Sequence, residues 1–227
     1  MNNNIITYDL LIWIGLLITI ISQILVSASY SRFKKKLNNK DITGFDAARK
    51  ILDKNDLKDV MILETKGNLT DHYDPTRKVI RLSTDIYHGS SIASVAVAAH
   101  ECGHAIQDKE NYKPMRIRSK IVPTVNLCTK LGYLAIVIGA IFSYKLMEIG
   151  IILLLALLAF QLITLPVEFN ASSRALAQIE SLGIVSHDER RESRKVLKAA
   201  ALTYVAAAAT AVLQLLRLIT IANRRDD

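Results

Sequence analysis

Long apolar stretches divide this chain of 227 residues, and the first runs from Ile5 to about Ser29 with Asp9 as its only charge. A helix needs about 20 apolar residues to cross the hydrocarbon core of a bilayer, so this stretch is long enough to span one. A cleaved signal peptide is the alternative, since Val26-Ser27-Ala28 has the small residues of a cleavage site. No positive charge precedes the long apolar run, which favours an uncleaved transmembrane anchor over residues 1–31.

The composition indicates a membrane protein with a soluble part. Hydrophobic residues make up 51% of the chain, which excludes intrinsic disorder, while charged residues still make up 22%. The apolar residues must therefore be concentrated in blocks. Only 2 cysteines are present, so a disulfide scaffold is excluded. We expect Cys102 and Cys128 to be small buried apolar residues in a reducing compartment.

The distribution of positive charge predicts the orientation of the anchor. Arg32-Phe33-Lys34-Lys35-Lys36 follows the first apolar stretch directly, whereas residues 1–9 contain no Lys or Arg. The positive-inside rule therefore places the N-terminus outside a bacterial-type plasma membrane and residue 32 onward in the cytoplasm. The net charge is +8, but this basic cluster adjoins a membrane helix. We therefore expect it to contact the headgroups of the lipid bilayer, and we expect no nucleic-acid partner.

Two further apolar stretches, at residues 123–142 and 149–165, are separated only by the short polar segment 143–148. This pattern predicts a transmembrane hairpin over residues 121–166. A hairpin returns the chain to the side that it left. Residues 32–120 and the segment from residue 167 onward are therefore expected to share the cytoplasmic face.

The last apolar stretch, at residues 199–221, differs from the others because it carries polar residues on one side. These residues are spaced 7, 4 and 3 positions apart and so share one helical face: Thr203, Thr210, Gln214 and Arg217. If the stretch crossed the membrane, Asn223-Arg224-Arg225 would lie outside, against the charge rule. We expect a helix that packs on the cytoplasmic domain or is partly embedded, with a full fourth crossing as the alternative.

The remaining segments predict short soluble elements. Thr43 and Asp46 resemble a capping box that opens a helix through about Leu52. Ser90-Ser91 offers an N-cap for a helix over residues 92–107 that is rich in Ala and Val. Three strands are predicted to form a small antiparallel sheet, at residues 60–63, 69–73 and 79–82. The predicted fold class is therefore mainly α with a small antiparallel β-sheet.

The helix predicted at residues 92–107 carries His100-Glu101-Cys102-Gly103-His104. Positions i and i+4 lie on one helical face about 5–6 Å apart at Cβ, so both imidazoles can bind one zinc ion. Glu101 can lie beside the metal without being a ligand and act as the general base, while Gly103 leaves room for a neighbouring helix. Two solvated histidines on a surface helix are the alternative. The rest of the helix is apolar, however, and a metal ion supplies the partner that a buried carboxylate needs.

A catalytic zinc site needs a third protein ligand and keeps its fourth position open. Glu168 is the strongest candidate because it is the lone acid of segment 165–170, where the hairpin re-enters the cytoplasmic side. A salt bridge between Glu168 and Arg174 is the alternative. The remaining histidines are the other candidate ligands: His72, His88 and His187. We expect His88 at the rim of the site and His187 in a solvated turn.

Three segments of the chain resemble the YugP-like membrane zinc metallopeptidases: His100 to Gln107, Pro166 to Ser172 and Leu202 to Val205. The resemblance covers most of the chain, and that family is more distantly similar to the membrane gluzincins of the HtpX and CAAX-prenyl-protease group. It implies a zincin-like gluzincin domain in which residues 32–120 hold the catalytic helix and residues 167–227 complete the site. It also implies a zinc metalloendopeptidase that cleaves peptides or membrane proteins.

Carried onto this chain, the resemblance implies that His100, His104 and Glu168 bind one zinc ion per chain and that Glu101 is the base. The wider group has an aspartate four residues after the ligand glutamate, where this chain has Ser172. Asn170 or Ser172 is therefore expected to hydrogen-bond a ligand histidine.

Two further roles follow from the same resemblance. In the wider group the strand before the active helix pairs with extended substrate, and the matching candidates here are Lys78, Val79, Ile80, Arg81 and Leu82. An ordinary internal strand is the alternative. Tyr204 and Arg174 are candidate donors to the oxyanion, with plain packing as the alternative for Tyr204.

A catalytically silent, zinc-stabilised membrane scaffold or adaptor is the main alternative function. Glu101 argues against it, because a purely structural site needs no base. A fourth protein ligand, such as His72 or His88, would favour it. A transporter or channel is a weaker alternative, since the apolar stretches contain few charges that could form an ion pathway.

Overall fold

A computed structural model of the chain describes residues 3–223 and the side chains of residues 10–221. Within that range it contains seven helices and a three-stranded sheet. In chain order the elements are α1 (Asn3–Lys34), α2 (Gly44–Lys54), β1 (Met61–Thr65), β2 (His72–Asp74), β3 (Val79–Ser83), α3 (Thr84–Tyr87), α4 (Ile92–Lys109), α5 (Lys113–Phe142), α6 (Tyr144–Ser181) and α7 (His187–Asn223). The prediction of a mainly helical fold with a small sheet is confirmed.

The chain divides into two compact units. The helical unit comprises Met1–Gln23, Ile117–Leu165 and Leu202–Asp227. The sheet unit comprises Ile24–Arg116 and Pro166–Ala201. The sheet unit holds all three strands together with α2, α3 and α4, whereas α1, α5, α6 and α7 contribute residues to both units.

Within the described part of the chain, four helices are long and apolar enough to cross a membrane, judged by length and composition. They are Leu10–Lys34, Lys113–Phe142, Tyr144–Ser181 and His187–Ile221. The stretch predicted as the anchor overlaps the first of these helices, and the two arms of the hairpin lie within the second and third.

The two arms of the predicted hairpin are separated by a single residue, Ser143, rather than by the six-residue segment predicted from the sequence. Within the helical unit they approach closely, since a Cβ atom at Gly150 would lie 2.7 Å from the backbone oxygen of Gly132. Small residues allow this approach between apolar helices. α6 then continues through Pro166 to Ser181, so the apolar segment and Glu168 belong to one helix.

The polar face of the last apolar stretch contacts other apolar helices, while its crossing of the membrane stays a prediction. α7 is continuous, and its second half belongs to the helical unit. There the Thr210 hydroxyl donates to the backbone oxygen of Gly15 at 3.3 Å, and Gln214 donates to the Tyr133 hydroxyl at 3.1 Å. Helices α1 and α5 therefore supply partners for two of these polar side chains, Thr210 and Gln214. The charges of Arg224-Arg225 lie outside the described residues.

The strands form a mixed sheet, so the prediction of an antiparallel sheet is wrong for one of its two pairings. The strand order is β1-β3-β2. β2 pairs antiparallel with β3 through the predicted tight turn, whereas β1 pairs parallel with β3, with Met61 opposite Val79. Residues 66–71 are long enough to carry the chain across β3. β3 takes the central position because its apolar residues Val79, Ile80 and Leu82 are all buried.

Both predicted helix caps are present and fix where α2 and α4 begin. Thr43 and Asp46 form a capping box at the start of α2. The Ser91 hydroxyl accepts a hydrogen bond of 3.0 Å from the backbone nitrogen of Ser94 at the start of α4. From there α4 runs through the core of the sheet unit with most of its Ala and Val residues buried. The histidines that follow on the same helix are therefore held in a fixed orientation.

Candidate metal centre

Three side chains that can bind a metal ion come together between α4 and α6 in the sheet unit. The Nε2 atoms of His100 and His104 lie 3.2 Å and 3.5 Å from Oε2 of Glu168. One ligand atom from each of the three residues lies within 4.8 Å of the others. Glu168 is only 2% exposed and His104 only 8% exposed, so the group is largely shielded from solvent.

The sequence of α6 explains why Glu168 faces α4. Small or apolar residues recur every four positions and are all fully buried: Val167, Ala171, Ala175 and Ile179. Glu168 follows the first of them and therefore lies at the edge of this buried stripe. α4 can approach because position 103 is glycine, where a Cβ atom would lie 2.4 Å from the backbone oxygen of Ala171. The close approach expected at Gly103 is found.

The separations fit a tetrahedral zinc ion. Ligand atoms about 2.1 Å from zinc, at tetrahedral angles, lie about 3.4 Å apart. The separations from Glu168 to His100 and His104 are 3.2 Å and 3.5 Å. Two imidazoles and one carboxylate form a ligand set of catalytic zinc sites, which leave the fourth position to water. Among the described residues, His100, His104 and Glu168 form the group of at least three His, Cys, Asp or Glu side chains that could hold a metal ion.

Both histidines of this group, His100 and His104, have a polar side chain near the Nδ1 atom of the ring. The Ser172 hydroxyl lies 3.2 Å from Nδ1 of His100, and Oε1 of Gln107 lies 3.0 Å from Nδ1 of His104. Ser172 was one of the two candidates for such a contact, whereas Gln107 was missed as a site residue. The available signal was a polar side chain one turn after His104 on an otherwise apolar helix.

Asn170 and Arg174 extend this network away from the ligand atoms. Oδ1 of Asn170 accepts from Nε2 of Gln107 at 2.9 Å and from Nε of Arg174 at 2.7 Å. Arg174 also forms an ion pair of 2.7 Å with Glu110. The guanidinium is therefore engaged with Asn170 and Glu110, while Glu168 is engaged with the two histidines.

Glu101 lies next to this group and is 7% exposed. Burial raises the pKa of its carboxyl to about 7, and the charges of Glu168 and Asp71 act in the same direction. The His100 side chain opposes this shift. A divalent cation held by the three ligands would lower the pKa of Glu101 through charge attraction. Burial thus favours the protonated carboxyl, and a bound cation would favour the carboxylate.

The other histidines lie outside the group of ligand residues. His72 is exposed, and His88 pairs with Glu64 at 3.3 Å. His187 is exposed at the first position of α7. Cys102 is fully buried, and burial raises the pKa of its thiol, so it is a core residue as predicted.

The segment from Lys78 to Leu82 is not free to pair with an extended substrate. β1 pairs with all five residues of β3, and β2 occupies the other edge from Val79 to Arg81. The alternative of an ordinary internal strand is therefore correct. Tyr204 belongs to the helical unit, and its role at the oxyanion stays a prediction.

Comparisons with known proteins identify a family and a relative of this chain. A family model described as "Putative neutral zinc metallopeptidase" matches residues 8–223. A protein of Bacillus subtilis (strain 168), named "Putative membrane protease YugP", is 47% identical over 208 residues. The match covers 91% of this chain and 92% of that protein. No solved structure matches the chain.

Proposed function

Since the chain belongs to the neutral zinc metallopeptidase family, we propose that it is a membrane zinc endopeptidase that cleaves peptide or membrane-protein substrates at the cytoplasmic face. The observation that carries this proposal is the convergence of His100, His104 and Glu168 beside a buried acid, Glu101. A purely structural zinc site has four protein ligands and needs no neighbouring base, so the additional acid favours catalysis over the scaffold alternative.

In this proposal the Nε2 atoms of His100 and His104 and the carboxylate of Glu168 hold one zinc ion per chain. Zinc supplies a Lewis acid for the attacking water and for the scissile carbonyl. The burial of Glu168 and His104 limits access of bulk water, which strengthens every charge interaction at the site. The chain's contribution is therefore to fix three ligand atoms and to leave one position accessible.

Glu101 moves the proton in the proposed reaction. Its carboxylate takes a proton from the attacking water and delivers it to the amine that leaves when the peptide bond breaks. Burial raises the pKa of Glu101 to about 7 in the metal-free chain, and the proposed zinc ion would lower it, so that the carboxylate form is available to accept a proton at neutral pH. The protonated carboxyl can then donate to the leaving amine.

We assign the substrate-pairing edge to β2 instead of β3. In the order β1-β3-β2, β2 has β3 as its neighbour in the sheet and leaves its other edge unpaired among the described residues. Asp71 and His72, at the start of β2, are close enough to Glu101 to affect its pKa. A peptide that adds to this edge would therefore run past Glu101, with backbone hydrogen bonds giving affinity.

The test is Glu101→Gln in the full chain, purified in detergent and assayed against a peptide library. We expect the variant to keep about one zinc per chain and to lose about 10²- to 10⁴-fold in cleavage rate, because the proton acceptor is gone. Glu64→Gln, which changes an exposed acid paired with His88, is the matched control and should cleave normally. Undiminished cleavage by Glu101→Gln would exclude the mechanism, and a zinc-loaded wild type without any cleavage would favour the scaffold.

A further inference from the structure

Gln107 is fully buried one turn after His104, and both ends of its side-chain amide are hydrogen-bonded. Oε1 lies 3.0 Å from Nδ1 of His104. Nε2 donates to the backbone oxygen of Val167 at 2.8 Å and to Oδ1 of Asn170 at 2.9 Å. The amide therefore links a histidine of α4 to two positions on α6 that flank Glu168.

The partners of this amide fix its orientation. A backbone carbonyl can only accept a hydrogen bond, so the atom facing Val167 must be the NH₂ group. The oxygen end of Gln107 then faces His104, and an acceptor at that position requires a proton on Nδ1. A neutral imidazole that is protonated on Nδ1 carries its lone pair on Nε2. Nε2 is the atom that lies 3.5 Å from Glu168.

We propose that Gln107 is a positioning residue that holds His104 in the tautomer whose Nε2 can bind a metal ion. Carboxylates and backbone carbonyls usually perform this task. Here a neutral side-chain amide lies in that position, 3.0 Å from Nδ1 of His104. The inference rests on the proposed function only in that the three ligands hold a metal.

The far end of the amide is held in place by Asn170 and Arg174. A guanidinium has only donors, so the oxygen of Asn170 must face Nε of Arg174 at 2.7 Å. The same oxygen accepts from Gln107, so a flipped Gln107 amide would place oxygen against oxygen. Arg174 is in turn paired with Glu110 at 2.7 Å. We therefore assign Asn170 and Arg174 to the support of Gln107, and the role of Arg174 at the oxyanion stays a prediction.

The first test is the zinc affinity of the full chain in detergent, measured by competition with a chromogenic chelator. Gln107→Leu keeps the size of the side chain but removes the acceptor, and we expect zinc binding to weaken about 10- to 100-fold. Asn170→Asp keeps an acceptor for both Gln107 and Arg174 and should bind zinc nearly as the wild type does. Gln178→Leu is the matched control, because Gln178 accepts a hydrogen bond from Asn55 within the same unit and should leave zinc affinity unchanged.

The second test is independent of zinc. In metal-free protein labelled with ¹⁵N-histidine, the His104 shifts should show a protonated Nδ1, and Gln107→Leu should lower the population that is protonated there. Equal zinc affinity of Gln107→Leu and wild type, or an unprotonated Nδ1 in the wild type, would overturn the inference. If Gln107→Leu does not fold, Asn170→Leu is tested in its place. We expect Asn170→Leu to bind zinc more weakly than the wild type, and unchanged zinc binding would contradict the inference. A wild type that binds no zinc would contradict the proposed function instead.

Discussion

At the scale of single residues, the raised pKa of Glu101 makes the stability of the metal-free protein depend on pH. The pKa rises from 4.5 to about 7 because the carboxyl is buried. Between these values the folded protein keeps a proton that the unfolded chain has released, so the free energy of unfolding falls as pH rises. The contribution is fully present below pH 4.5 and is lost as pH passes about 7.

We therefore expect wild type to lose more stability than Glu101→Gln between these pH values, by on the order of 3 kcal/mol. The amide of the variant does not titrate, which removes this contribution while the rest of the chain is unchanged. Thermal unfolding in detergent with a zinc chelator present measures the difference. Parallel stability curves for the two proteins would mean that burial does not shift this carboxyl.

Ser172 provides a second prediction at this scale. Its hydroxyl lies 3.2 Å from Nδ1 of His100, on the side of the ring away from the ligand atom. Ser172→Ala removes the contact, and we expect zinc affinity to fall by about 10-fold. Ser172→Asp should restore or exceed the original affinity, because a carboxylate is a stronger acceptor for the ring N–H. Ser173→Ala is the control, since that hydroxyl bonds to the backbone of its own helix. An equal loss in both alanine variants would contradict this role.

Some residues of the candidate metal centre could be predicted from the sequence and others could not, for a physical reason. His100, Glu101 and His104 follow from helical periodicity, because positions one turn apart on one helix always share a face. Glu168 was predicted as a site residue because it is the lone acid of an uncharged segment. Gln107 was not predicted, because its partners Val167 and Asn170 lie on α6. Residue spacing along one helix does not show which residues of another helix lie close to it.

At the scale of elements, the contact of α4 with α6 depends on Gly103. A Cβ atom there would lie 2.4 Å from the backbone oxygen of Ala171, and a backbone atom cannot turn aside as a side chain can. Gly103→Ala must therefore push the two helices apart, at a cost of about 1–3 kcal/mol. The same movement would separate Glu168 from the histidines.

We expect Gly103→Ala to lower both the melting temperature and the zinc affinity. Gly15→Ala is the matched control, because the nearest atom to its new Cβ would be a methyl group of Thr210 at 3.3 Å, which can move. That variant should retain the zinc affinity of the wild type. Wild-type stability and zinc binding in Gly103→Ala would show that α4 and α6 do not meet as described.

The sheet illustrates what periodicity does not determine. The three strands and the turn between β2 and β3 were predicted, because local residue types specify them. The order of the strands in the sheet was not predicted. It depends on the path of residues 66–71, which connect β1 to β2 and pass over β3. The continuous apolar run in β3 was the available signal for a central strand.

At the scale of the whole molecule, the four apolar helices predict a topology that can be measured. With the N-terminus outside, crossings by α1, α5, α6 and α7 place residue 40 in the cytoplasm and residue 226 outside. We expect a membrane-impermeant thiol reagent to label Asp226→Cys but not Lys40→Cys in intact cells. Both variants carry Ala at Cys102 and Cys128. Labelling of position 40 from outside would overturn the cytoplasmic assignment, and protection of position 226 would show that α7 does not cross.

The continuity of α6 also sets the order in which the site can be made. Glu168 lies on the same helix as the second apolar segment of the hairpin and follows it in the chain. A ribosome therefore finishes both apolar segments before it adds Glu168, and a nascent chain that ends before residue 168 holds only two of the three proposed zinc ligands. In the proposed enzyme, cleavage could therefore begin only after both segments of the hairpin have been synthesised.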